Sequence, residues 1–415
     1  MDQHPLDARL HAGGIELPRA GTRSEGSYWL QLEGQVRGRE PLRGVDLFHS
    51  GSRLWRLKLA QPPGGAADRT PGTGGSFSLP LSALAMPPEF ELEVRAVFED
   101  RTHATLATVR GRRELLQPFA TATIQPLVIT SLGRSGSTVL MRALENHPRV
   151  AACPAFQYES RITTYWLTVL RDLVEPASYL RQFRTGPGGT RLTASGWWLA
   201  DRPPLVQRLA DSALERGAEH DAVEATVVFC RQQMEGQYRS IAAQVGRPDA
   251  AYFAEKVIAW PNLALLEELY PDGREIVLVR DFRDQLCSAL EFFPRQQGQE
   301  PPAPLDQLPI NGLVALVDAW RRRSERAHLV RYEDLVLQPA ETLRPLLRYL
   351  GLDDSADVVE QMADAVLHRD PATASHQTTP DVKASIGRWR RDVAPGIREE
   401  VEARLAFALE AFGYS

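Results

Sequence analysis

Through the first hundred or so residues apolar side chains recur at every second position. Beyond residue 126 they form short solid runs separated by helical stretches. Phe90, Leu92, Val94, Ala96 and Phe98 alternate with Glu91, Glu93, Arg95 and Val97, and Trp55, Leu57 and Leu59 alternate with Arg56 and Lys58. A period of two is the pattern of a strand with one buried face. Turn-forming residues, Ser50-Gly51-Ser52 and Glu99-Asp100-Arg101, separate the runs. Residues 1–117 are therefore predicted to form a small all-β module, a sandwich of immunoglobulin-like type. Gln61 to Gly75, rich in Pro and Gly, reads as a long loop, and residues 118–125 read as a linker. No catalytic constellation stands out in this module. It is either a structural appendage or a carbohydrate- or partner-binding unit.

A different pattern begins at Leu127-Val128-Ile129. This apolar run leads into a small-residue loop and then into a helix carrying Val139, Leu140, Ala143 and Leu144 on one face, with Pro148 ending it. A second strand is expected within Arg149 to Cys153. Residues from about 162 to 247 read as a mostly helical insert, interrupted by Arg184 to Gly196. Trp197 and Trp198 in the insert either line a substrate pocket or belong to a core. Ala250 to Glu255 reads as a strand with Lys256 at its C-terminal end, the edge where ligands gather in open α/β sheets. Ile276 to Val279 is a buried strand reaching Arg280, with a helix starting near Asp284. Phe292 to Pro309, rich in Pro and Gln, reads as a mobile flap beside a substrate site. The strand His328 to Arg331 meets Tyr332, Pro339 opens a helix bearing Leu343, Leu346, Leu347 and Leu350, and Gly351 closes it. Buried strands alternating with helices predict an α/β domain with a parallel sheet over residues 126–415.

Composition sets limits on function. A chain of 415 residues with 43% hydrophobic and 24% charged residues has room for two globular domains. The net charge of −5 argues against a broad nucleic-acid surface, so any anion site must be a local cluster of cations. Lys occurs only at positions 58, 256 and 383, which singles out Lys256 and Lys383 among the many Arg residues. Cys153, Cys230 and Cys287 lack metal-ligand spacing, as expected of reduced thiols. No N-terminal basic-then-apolar signal is visible, and no apolar run approaches the ~18 residues a membrane helix requires. A soluble, cytoplasmic protein is the expectation.

Two stretches carry chemistry. In Gly133-Arg134-Ser135-Gly136-Ser137-Thr138 the strand–loop–helix turn aims backbone N–H groups and a helix dipole at one point, a site for phosphate or sulfate. A nucleotide-triphosphatase loop would hold Lys where Ser137 stands; here the cation comes earlier, as Arg134. In the second stretch Arg280 ends a strand and Ser288 lies about one turn into the next helix. The arginine is able to bind a phosphate bidentately while the serine supplies a neutral donor.

The first of these stretches, with Leu140, Leu144 and His147-Pro148 after it, resembles the 5′-phosphosulfate loop of the sulfotransferases that use 3′-phosphoadenosine 5′-phosphosulfate (PAPS). The segment from Arg280 through Asp284 to Ser288 resembles their 3′-phosphate motif, with Phe282 in place of the usual Pro. Glu255-Lys256-Val257 resembles a further family segment, although Val257-Ile258 replaces its Thr-Pro. Tyr332-Glu333-Asp334-Leu335 and Lys383 to Arg390 look like the family's later segments. The likeness runs from about Pro126 to the C-terminus and leaves the first hundred or so residues uncovered.

The resemblance implies a sulfotransferase that moves the sulfonyl group of PAPS to an acceptor hydroxyl, releasing 3′-phosphoadenosine 5′-phosphate (PAP) without a metal ion. Arg134, Ser135, Gly136, Ser137, Thr138, Arg280, Ser288, Tyr332, Ser385 and Arg388 would hold the nucleotide, with Trp389 as an anchor. Arg134 and Lys256 would stabilise charge on the sulfonyl group. Glu159, in a Glu-x-Arg pair with Arg161 like that of tyrosylprotein and carbohydrate sulfotransferases, is the expected base. Plainer readings are a solvated Glu159–Arg161 pair and a surface salt bridge between Lys256 and Glu255. A carbohydrate or glycolipid is the first acceptor class, followed by peptide tyrosine and a small metabolite. Oligomeric state is not readable from the sequence. The rival classes are a P-loop kinase or ATPase, in which Asp281 would hold magnesium, and a non-catalytic binding protein.

Overall fold

The structure, a computed structural model, describes residues 2–3, 7–21, 29–49, 52–59, 74–82, 84, 86–116, 119–174, 213–257, 263–297, 303–368, 378–379 and 381–414. The expected loop at 61–75 therefore lies outside the described residues except at its end, as do Trp197, Trp198 and the interruption at 184–196. The chain divides into two compact units that interleave in sequence. One comprises residues 1–119, 166–232 and 261–269; the other comprises 120–165, 233–260 and 270–415.

The first unit holds eight strands: β1 (Asp2–Gln3), β2 (Leu10–Leu17), β3 (Trp29–Gly38), β4 (Leu42–His49), β5 (Ser52–Leu57), β6 (Gly74–Ser82), β7 (Glu89–Phe98) and β8 (His103–Arg112). They pair antiparallel into a sheet of order β1-β8-β7-β4-β5 and another of order β2-β3-β6. Alternation is what buries them. Leu92, Val94 and Ala96 of β7 enter one apolar cluster together with Leu32, Val36 and Phe77 of the smaller sheet. Residues after the strands belong to this unit too. Arg113 donates to Glu268 Oε1 over 3.0 Å, and both side chains are buried.

The second unit is built on a five-stranded parallel sheet of β9 (Gln125–Thr130), β10 (Val150–Ala152), β11 (Tyr252–Val257), β12 (Arg274–Val279) and β13 (His328–Arg331), in the order β10-β11-β9-β12-β13. The described helices of the chain are α1 (Ser137–Glu145), α2 (Ile162–Val174), α3 (Ala213–Gln244), α4 (Leu263–Leu269), α5 (Phe282–Gln297), α6 (Ile310–Arg323), α7 (Tyr332–Leu337), α8 (Pro339–Leu350), α9 (Ala356–Leu367), α10 (Trp389–Asp392) and α11 (Pro395–Ala411). Both sheet faces are covered, which explains why these strands read as solid apolar runs. Ile276 and Leu278 point into a cluster with α1, α7, α8 and α9, whereas Val277 and Val279 point into another with α5, α6 and α11. Among the described residues no helix is long and apolar enough to cross a membrane.

One expectation is corrected here. The flap proposed for 292–309 begins instead as helix, because α5 continues through Pro294 to Gln297, and a 3-10 turn occupies Pro304–Gln307. Burial outweighs composition: Phe292 and Pro294 are buried, and a single missing N–H near a helix end is tolerated in such packing.

Candidate active site

The C-terminal ends of β9, β11 and β12 open onto a cleft of about 830 Å³ within the second unit. The loop from β9 to α1 forms one wall. Gly136 caps α1 with φ 90° and has no side chain to offer the helix amides, and this uncapped N-terminus borders the cleft. Arg134 is also in the left-handed region, at φ 69°. A Cβ on residue 136 would sit 2.2 Å from Tyr332 Cδ2. Gly136→Ala therefore combines backbone strain with a ring clash, and we expect it to destabilise the protein by about 1–3 kcal/mol. A thermal melt checks this; an unchanged melting temperature would show the loop to be softer than its geometry implies.

Pleating separates the adjacent residues Glu255 and Lys256 on β11. Glu255 turns to one side, where it accepts from Ser160 Oγ at 2.6 Å, the Ile162 N–H at 2.6 Å and the Thr163 N–H at 2.9 Å, thereby capping α2. Lys256 turns to the other, where its Nζ donates to Thr138 Oγ1 at 2.9 Å and to the Gln157 carbonyl at 2.7 Å, and lies 3.5 Å from Glu159 Oε1. A surface pair between Glu255 and Lys256 is thus ruled out, since both are buried and they point apart. Burial lowers the Lys256 pKa, while Glu159 opposes the shift. Glu159, with its side chain 42% exposed, also pairs with Arg161 at 3.3 Å. Its segment is conformationally unusual: Gln157, Tyr158 and Arg161 all have positive φ.

Opposite, Arg280 and Ser288 meet the phosphate loop directly. Arg134 Nε donates to Ser288 Oγ at 3.1 Å, and Arg280 Nη1 donates to the Arg134 carbonyl at 3.2 Å. Arg280 Nη2 donates to the Ser385 carbonyl at 2.7 Å, and its guanidinium lies 4.9 Å from the Tyr332 ring centroid. The Tyr332 hydroxyl is 3.0 Å from Ser385 Oγ. Burial, reinforced by repulsion from Arg280, pulls the Arg134 pKa down to about 10, so at neutral pH two charged guanidiniums remain close together. This is an arrangement that an anion relieves.

The structure brings Arg134, Gly136, Ser137, Thr138, Glu159, Lys256, Arg280, Ser288, Tyr332 and Ser385 to the lining of this one cleft. Ser135 and Arg388 are not among the lining residues. Ser135 is buried behind the loop, with no partner for its hydroxyl among the described residues. Arg388 is held by Asp392 at 2.5 Å and Glu291 at 2.9 Å. It donates to Thr378 Oγ1 at 3.1 Å, and Thr378 lies 3.2 Å from Ser288, so Arg388 touches the site only through that threonine. Trp389 is fixed through its backbone N–H, which donates to Asp284 at 2.8 Å, and through Arg283 stacked 4.1 Å from its ring centroid. Asp281 accepts from both the backbone and the guanidinium of Arg283 at 2.9 Å, so its carboxylate is committed to an ion pair.

Several lining residues went unrecognised in the sequence. Phe292 and Phe293 sat in the supposed flap, yet Arg134 lies 4.0 Å from the Phe292 ring centroid. Thr378 and Thr379 follow no motif. Arg142 was masked by the amphipathic pattern of α1, where one cation among apolar residues reads as the solvent face. The only available signal was its spacing of four from Thr138, which places the two on one flank.

Comparison with known proteins bears on residues 126–356, which match the model of the sulfotransferase family. No curated protein matches the sequence at a significant level. Among solved structures, the chain is similar to a sulfotransferase domain from the curacin biosynthetic pathway, with 15% identity, a TM-score of 0.40, and coverage of 70% of this chain and 98% of that one. It is likewise similar to the sulfotransferase domain of the Synechococcus PCC 7002 olefin synthase, with 19% identity, a TM-score of 0.36, and coverage of 73% and 99%. A mouse sulfotransferase complexed with PAP matches with 9% identity, a TM-score of 0.39, and coverage of 70% and 85%. Because the family model spans more than half of the sequence, this protein belongs to the sulfotransferase family.

Proposed function

We propose that the chain transfers the sulfonyl group of PAPS to an acceptor hydroxyl. The observation that carries the reading is the meeting of Arg134, Lys256, Arg280 and Ser288 in one cleft at the N-terminus of α1. The residues fit such a donor. Arg280 lines the cleft, and its Nε is buried without a partner among the described residues. The absence of a Cβ at Gly136 is what lets the phosphate loop pack against the Tyr332 ring at the cleft wall.

In this reading Arg280 and Ser288 bind the 3′-phosphate, and the loop amides with Ser137 and Thr138 bind the 5′-phosphosulfate. Glu159 takes the proton of the acceptor hydroxyl as its oxygen bonds to sulfur, while the bond from sulfur to the 5′-phosphate oxygen breaks and PAP departs. Arg134 and Lys256 stabilise the charge that shifts onto the leaving phosphate. Ser385 and Tyr332 brace Arg280, and Arg388 acts through Thr378. Residues 126–415 carry the activity, and residues 1–117 form an accessory sandwich of immunoglobulin-like type. Carbohydrate or glycolipid hydroxyls are the acceptor class we favour, ahead of peptide tyrosine and small metabolites. Three cysteines without disulfide partners suit a reducing cytoplasm.

Thermal melting with PAP and with AMP, both without magnesium, tests donor recognition. At a hundredfold excess over its Kd a ligand stabilises by about 2.7 kcal/mol. PAP is expected to raise the melting temperature by several degrees, and AMP, which lacks the 3′-phosphate, to do so far less. Equal shifts would remove Arg280 and Ser288 from the donor site. Transfer of radiolabelled sulfonyl groups to a panel of hydroxyl acceptors then identifies the acceptor class.

A further inference from the structure

One cation in the cleft has no work in the chemistry above. Arg142 lines the cavity from α1. The residue is only 8% exposed, and its Nε and Nη1 are buried without a partner among the described residues. Taking a charge out of water with nothing opposite it costs several kcal/mol. A buried guanidinium left in that state, at the wall of a cleft, is a site for an anion that the described residues do not provide.

Its place on the helix separates it from the donor contacts. Arg142 follows Thr138 by four residues, about 6 Å along the axis and away from the phosphate loop. On the next turn of the same flank, Glu145 accepts from the Tyr158 hydroxyl, so this flank faces the segment that carries Glu159, Arg161 and Thr164. Arg134 and Arg280 lie at the opposite, loop end of α1. An acceptor hydroxyl presented to Glu159 therefore has its neighbouring substituent beside Arg142.

We propose that Arg142 forms an acceptor subsite for a carboxylate, and that the acceptor is an acidic sugar whose carboxylate lies next to the hydroxyl that receives the sulfonyl group. A guanidinium fork matches a carboxylate bidentately. Thr138, Glu159, Arg161 and Thr164, which line the same cleft, are polar and suit a hydroxyl-bearing ring better than the apolar ring of tyrosine. This inference rests on the sulfotransferase reading and specifies its acceptor.

The test uses the full chain saturated with PAP and titrated with glucuronate, glucose and an acidic tyrosine peptide, followed by ligand-observed NMR. A hydrogen bond to a charged group contributes about 1.5–3 kcal/mol, roughly ten- to a hundredfold in affinity. Wild-type protein is expected to prefer glucuronate over glucose by that factor. Arg142→Gln is expected to abolish the preference, and Arg142→Lys to keep part of it. PAP affinity stays unchanged in both. Because its Nε and Nη1 have no partner among the described residues to lose, the melting temperature of Arg142→Gln is not expected to fall, whereas a purely structural arginine would lower it. Equal binding of glucuronate and glucose, an undiminished preference in Arg142→Gln, or a loss of PAP affinity in that variant would each overturn the proposal. Tighter binding of the peptide than of glucuronate would overturn the sugar class. If the wild type fails to bind PAP, the sulfotransferase reading falls and takes this inference with it; normal PAP binding without a glucuronate preference sinks the inference alone.

Discussion

Replacing Arg280 with Ala is expected to weaken PAP binding by ~100-fold or more while leaving the protein folded. The magnitude follows from the 2–5 kcal/mol lost when one partner of a buried, hydrogen-bonded charge pair is truncated, at 1.4 kcal/mol per tenfold. Two further features argue for the upper part of that range. Arg280 is buried, so no water replaces it cheaply, and its Nε has no partner among the described residues. The fold should survive because the variant loses two hydrogen bonds to carbonyls, of Arg134 and Ser385, and at the same time removes a cation that repels Arg134. Arg280→Lys keeps the charge but not the fork, and is expected to fall between the two. Calorimetric titration with PAP and a thermal melt decide the matter. Wild-type affinity in Arg280→Ala, with the fold intact, would remove this residue from the donor site.

The same residues show how much of the site was legible in the sequence. Arg280 and Ser288 stood out because a strand tip and the opening turns of the helix that follows it lie close together whatever the surroundings; local geometry alone brings them near each other. The loop from Gly133 to Thr138 was legible for the same reason. What the sequence did not disclose is that these two motifs touch. The contact between Arg134 Nε and Ser288 joins residues 154 positions apart. It exists because β9 and β12 are neighbours in the sheet, which is a fact of topology rather than of local pattern. Phe282 is a similar case. Its replacement of a family proline reads as a change in turn stiffness, but in the fold its ring packs 5.9 Å from Phe412 and 6.0 Å from Tyr414, and thereby docks the C-terminal residues against α5.

Polar residues that serve the scaffold were the hardest to interpret. Asp284 looked like one letter of a phosphate motif. In the structure it is fully buried and accepts from the N–H groups of Gly387 and Trp389 at 2.6 and 2.8 Å, holding the late segment against α5. Burial raises its pKa, and those two amides oppose the shift. Glu333 behaves alike, accepting from the Asp281 N–H at 2.9 Å and from the Tyr414 hydroxyl at 2.8 Å. A carboxylate in a motif is recognisable as important, but only the fold tells whether it faces a ligand or a backbone. Glu159 differs from both: it lines the cleft and remains partly exposed.

Glu159→Gln is the variant that turns this distinction into a rate. Loss of a positioned general base lowers turnover by about 100-fold or more, and the substitution keeps the shape of the side chain while removing its ability to hold the acceptor proton. Affinity for PAP should change little, because the nearest donor-binding group, Lys256, keeps its bonds to Thr138 and Gln157. It does lose an attractive neighbour, and since burial already lowers the Lys256 pKa, the variant shifts that pKa further down. Its residual activity should therefore fall off at lower alkaline pH than that of the wild type. Single-turnover rates with saturating donor, measured across pH for both proteins, separate the two effects. If Glu159→Gln turns over at the wild-type rate, the carboxylate is no base, and its pairing with Lys256 and Arg161 is only a clasp holding the strained segment from Gln157 to Arg161 in place.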